Sequence, residues 1–113
     1  MAKSRKRAES VTPSSGNVFA DLGLSHAEEK QTKARLAVAI NRVLQERRLS
    51  QMAAARLLGI NQPKVSALVN YQLQGFSVER LLRFLNALGQ DVEIVVRKRP
   101  QSRKAGRILV TAA

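Results

Sequence analysis

Between Ser50 and Asn70 the chain reads Ser-Gln-Met-Ala-Ala-Ala-Arg-Leu-Leu-Gly-Ile-Asn-Gln-Pro-Lys-Val-Ser-Ala-Leu-Val-Asn, and no other stretch restricts its fold so tightly. Ser50 is a helix N-cap type, with a hydroxyl that can accept from an unpaired backbone N–H. The helix it opens should run to Leu58 and stop at Gly59, the residue best suited to a left-handed terminus. Asn61 or Gln62 can cap a second helix, with Pro63 in its first turn, where the missing N–H costs nothing. At helical spacing, Ala54, Leu57 and Leu58 should meet Val65, Leu68 and Val69. Ala55 is small enough for two crossing helices to approach closely.

Two short helices joined by a tight glycine turn form the pattern of a helix-turn-helix, whose second helix is presented to the DNA major groove. A glycine-containing helical hairpin is common by itself. The combination of Gln51, Ala55, Gly59, Val65 and Leu68 is what narrows the reading to DNA binding. Charge points the same way. The net charge of +12 favours a polyanionic partner, which gains from counterion release. Much of that charge sits near the ends, in Lys3, Arg5, Lys6 and Arg7 and then in Arg97, Lys98, Arg99, Arg103, Lys104 and Arg107. These read as solvated arms or, on a DNA-binding core, as arms that strengthen binding without reading sequence.

A chain of 113 residues is expected to hold one domain, and with 4% aromatic residues its core must be built from Leu, Val, Ile and Ala. There is no cysteine, and His26 is the single histidine, so a disulfide framework or a thiol nucleophile is excluded and no metal site or cofactor is expected. The carboxylates are scattered, with no nucleophile–base pair and no phosphate-binding glycine loop, so the reading is not an enzyme. No apolar run approaches a membrane span or a signal segment, and a cytoplasmic protein is expected.

Residues 1–16 are polar and basic and read as a disordered arm. Asn17 to Gly23 holds Val18, Phe19 and Leu22 in a short capped turn suited to docking on its own core or on a partner. Ser25 and Glu28 make a capping box for a helix reaching about Arg47, with Leu36, Ala37, Ile40, Val43 and Leu44 on its apolar stripe. His26, in its first turn, reads as a solvated surface residue. Asn70 to Phe76 reads as a loop. Ser77 caps a last helix, Val78 to Leu88, with Leu81, Leu82, Phe84, Leu85 and Leu88 facing the core and Gly89 ending it. From Asp91 to Arg97 the period changes to two, with Val92, Ile94 and Val96 on the face expected to be buried, as in a strand. A lone strand leaves its backbone unpaired, so pairing with the same strand of a second copy is the simplest solution. Ile108 to Val110 or Val11-Thr12 are the alternative mates. The fold class expected is mainly α, a helix-turn-helix bundle over residues 17–97 with a C-terminal β-strand pairing across a homodimer, followed by a basic tail over 98–113.

Ser50 to Asn70 resembles the Cro/C1 (lambda-repressor-like, XRE) helix-turn-helix family. Within it, Asn17-Val-Phe-Ala-Asp-Leu-Gly23, Gly59-Ile-Asn-Gln-Pro-Lys-Val-Ser-Ala-Leu68 and Gly75-Phe-Ser-Val-Glu-Arg-Leu-Leu-Arg-Phe-Leu-Asn-Ala-Leu-Gly89, followed by Asp91-Val-Glu-Ile94, look like a subgroup related to HigA-type antitoxins. The resemblance implies a dimeric repressor of duplex DNA, often paired with a RelE/HigB-type toxin that it neutralises. It further implies that Gln51 touches a phosphate while Gln62, Lys64 and Ser66 face the bases, as N-terminal positions of the second helix do in this motif. Arg56 is placed with the phosphate contacts, and Asn70 is counted in the DNA-binding set. A strand stands where the parent family packs a fifth helix, which changes the expected dimer geometry. A stand-alone regulator, a module that sequesters a toxin on a helix-turn-helix scaffold, and an RNA- or ribosome-associated protein using the basic arms are the rival readings.

Overall fold

A computed structural model describes residues 26–112. Four helices follow one another: α1 (His26–Glu46), α2 (Gln51–Leu58), α3 (Gln62–Val69) and α4 (Val78–Ala87). The turn at Asn17 to Gly23 and the cap at Ser25 lie outside the described residues.

Sequence chemistry accounts for the start of the last three helices. Ser50, Asn61 and Ser77 each stand in an extended conformation, and their side chains accept from the backbone N–H of Ala53, Lys64 and Arg80 at 3.1, 2.9 and 3.1 Å. The choice between Asn61 and Gln62 as cap thus falls to Asn61. All four helices end the same way. The residue after the last turn has positive φ, at Arg48 (53°), Gly59 (70°), Tyr71 (60°) and Gly89 (80°). The N–H of the residue after each bonds back five positions, Leu49 to Leu44, Ile60 to Ala55, Gln72 to Ala67 and Gln90 to Leu85. Carbonyls that a helix end leaves orphaned are satisfied by this closure. Two of the four ends carry it out without glycine.

The core lies between α1 and α4, with α2 and α3 packed across one end. Ile40, Val65, Leu68, Phe76, Leu81 and Leu88 are its largest fully buried side chains. Leu36, Ala37, Ile40, Val43 and Leu44 are all buried on α1, as the spacing requires. On α2 the buried set is Ala54, Ala55 and Leu58, while Leu57 is 42% exposed. At 100° per residue, Leu57 stands about 100° from the centre of that stripe. Val69 on α3 is likewise exposed, at 37%, so neither residue is buried in the contact expected of it. Leu82 is half-buried rather than buried. Leu73 and Phe76, in the segment read only as a loop, belong to the core.

After Gly89 the described residues have no regular secondary structure. Val92 packs partly on the core, but Ile94 is 79% and Val96 91% exposed, and no ladder forms within the protomer among the described residues. The alternation of Val92, Ile94 and Val96 therefore does not place a face against the chain's own helices: by Ile94 the backbone has left them. Nor does Ile108 to Val110 serve as a mate, although Val110 also packs partly on the core. The described fold is purely helical.

Candidate nucleic-acid interface

α3 owes its exposed edge to geometry. Val65 and Leu68 turn inward and are fully buried, which leaves positions four apart, Gln62, Ser66 and Asn70, on one outward ridge. Gln62 and Asn70 are exposed and Ser66 is half-buried. Asn70 Nδ2 donates to the Ser66 carbonyl at 2.8 Å and lies 3.5 Å from Ser66 Oγ, so the amide is held in place along the ridge. A ridge of two amides and a hydroxyl offers the paired donors and acceptors that read base edges.

Lys64 is not on that ridge. Standing two residues from Gln62, it points about 160° away round the helix. Its side chain is half-buried, with Nζ 5.3 Å from the centroid of the Phe76 ring. Arg80 approaches the same ring at 5.8 Å and the Phe84 ring at 5.7 Å, and the two rings meet edge to face at 5.8 Å. A cation over an aromatic face is held by the ring quadrupole. Gly75 makes the room, since a Cβ there would sit 3.0 Å from Lys64 Nζ. Neither Lys64 nor Arg80 pairs with a carboxylate among the described residues; the ion pairs there are His26–Glu29, Lys33–Glu29 and Arg83–Glu79. Two cations without a carboxylate partner therefore gather between α3 and the first turn of α4. Sequence reading missed Arg80, although the spacing Phe76, Arg80, Phe84 at intervals of four was visible.

Gln51 and Arg56 are both exposed, at opposite ends of α2, and point about 140° apart. Gln51 lines an open cleft of about 290 Å³ with Leu44, Arg48, Val69 and Tyr71, which Arg56 does not line. Asn41 also lines the cleft. Its Nδ2 donates to the Leu68 carbonyl at 3.3 Å, and its buried Oδ1 has no partner. Among the described residues no group of His, Asp or Glu could hold a metal ion, and no helix is long and apolar enough to cross a membrane.

The model of a family described as "Helix-turn-helix domain" matches residues 18–97. A solved structure named "Putative XRE Family Transcriptional Regulator" is 68% identical to this chain, with a TM-score of 0.75, and the match covers 79% of this chain and all of that one. No curated protein matches. The family model spans most of the chain and the solved structure shares two thirds of its residues, so the chain belongs to the XRE family of helix-turn-helix proteins.

Proposed function

We propose that the chain is a sequence-specific DNA-binding transcriptional repressor that acts as a homodimer. The observation that carries this reading is the outward ridge Gln62, Ser66 and Asn70 on a helix whose other side buries Val65 and Leu68 completely. Gln62 can pair bidentately with adenine, and each such pair discriminates by about 1–3 kcal/mol. Lys64 joins the readers only after leaving Phe76, whereas Gln51 and Arg56 hold phosphates. Dimerisation is supported by Ile94 and Val96, whose exposure in one protomer leaves an apolar edge and an unpaired backbone for a second copy.

The test is binding to the chain's own promoter against scrambled duplex. Gln62→Ala should lower the ratio of the two affinities about tenfold, with melting unchanged. A ratio near unity for the unaltered protein would sink the reading.

The finer reading is an antitoxin that represses its own promoter and neutralises a RelE/HigB-type toxin, on the strength of the motif likeness at Gly75 to Ile94. Val18, Phe19 and Leu22 are the docking residues we assign to that partner. Co-purification with the product of the adjacent gene separates this reading from a stand-alone regulator. Promoter binding with and without that product separates it from a purely sequestering module.

A further inference from the structure

The basic stretch Arg97, Lys98, Arg99, Arg103, Lys104 and Arg107 is a loop fastened at both ends rather than a loose tail. Val92 before it and Val110 after it both pack partly on the helical core. Between them the chain turns back: Arg103 N–H donates to the Pro100 carbonyl at 3.1 Å. Arg99 Nη1 donates to the same carbonyl at 3.3 Å and to the carbonyl of Arg103. Nothing acidic follows Glu93 in the sequence, and none of the six cations pairs with a carboxylate among the described residues. Arg103 is half-buried, and its Nη1 is closed off from solvent without an acceptor.

From this arrangement we propose that residues 97–107 form an anchored basic loop that binds the phosphate backbone of duplex DNA. The inference rests on the DNA-binding reading above and adds to it a second contact region, independent of sequence. Free arms spread their charges through a large volume. A loop pinned by Val92 and Val110 holds six in a small one, which raises the local counterion density that phosphates then displace. Phosphates contribute affinity and register here, while the ridge of α3 supplies discrimination.

Salt titrations on a random-sequence duplex test the loop, because its contribution does not depend on an operator. Replacing Arg103, Lys104 and Arg107 together by Gln should flatten the log–log salt slope by about 2–3 and weaken binding roughly tenfold at low salt. The ratio of promoter to random affinity should stay unchanged. Val110→Ser keeps every charge but releases one anchor, and should cost severalfold in affinity for the random duplex with the helical melting transition intact. An unaltered slope in the triple variant would overturn the proposal. So would a Val110→Ser protein that binds as well as the parent, since the cations would then act as a loose tail. Tighter binding of an RNA hairpin than of duplex at matched salt would overturn it as well. A promoter-to-random ratio near unity in the parent protein defeats the repressor reading instead, and leaves the loop to be judged by its slope.

Discussion

Leu81 in α4 has no exposed surface, whereas Ile94, an isomeric side chain a short way along, is 79% exposed. The contrast extends to their surroundings. Residues 26–89 close every helix on itself, with three side-chain caps and four identical left-handed ends, and bury one continuous apolar stripe. Residues 90–112 touch the core through Val92 and Val110 and form no ladder of their own. Helical backbone is satisfied within a segment, so local sequence suffices to build it. Extended backbone is satisfied only by another segment, so the same apolar content stays exposed until one is supplied.

The largest effect that would test this difference is in the core. Leu81→Ala should cost about 2–5 kcal/mol, read from urea denaturation, while Val96→Ala should cost under about 0.5 kcal/mol at a concentration where the protein is monomeric. Equal costs would mean the arm is part of the folded core. Next is Ile94→Pro, which removes a ladder donor and fixes φ in the arm. Sedimentation should show it as a monomer with an unchanged helical circular dichroism signal. If it stays dimeric, the partner surface lies elsewhere.

Smaller effects sharpen the helical side of the comparison. Gly59 has φ of 70° with nothing within 4 Å of where a Cβ would stand. Gly59→Ala should therefore cost about 1 kcal/mol from backbone conformation alone. Arg48 and Tyr71 already meet that cost, so Arg48→Gly should gain about 0.5 kcal/mol, with the entropy of glycine offsetting part of the relief. Thermal melts of the two variants should shift in opposite directions.

Much of the helical half was legible in the sequence because its signals are local. Caps at Ser50 and Ser77, the stop at Gly59 and the stripe on α1 each lie within a few residues of what they control. Legibility fell where the deciding partner is distant. Phe76 reads as loop because nothing nearby reveals the core it enters, and the packing of Lys64 against Phe76 and Gly75 is equally out of reach of local sequence. The ends near Arg47 and Asn70 are also legible, but the left-handed turns at Arg48 and Tyr71 that make them carry no glycine to announce them. The alternation of Val92, Ile94 and Val96 suggests a strand but cannot say whose strand completes it.

Arg47 reaches from the end of α1 to the Leu88 carbonyl at the end of α4, with a hydrogen bond of 3.2 Å. That bond ties the end of α1 to the point where the chain leaves α4. In a dimer joined through the arm, the departure point and the arm's direction together set how far apart the two copies of α3 lie. If the proposed dimer forms through the arm, this one guanidinium would act as a ruler between the two copies. On the proposed dimer, Arg47→Ala should then alter the operator spacing that fits while the α3 ridge stays unchanged.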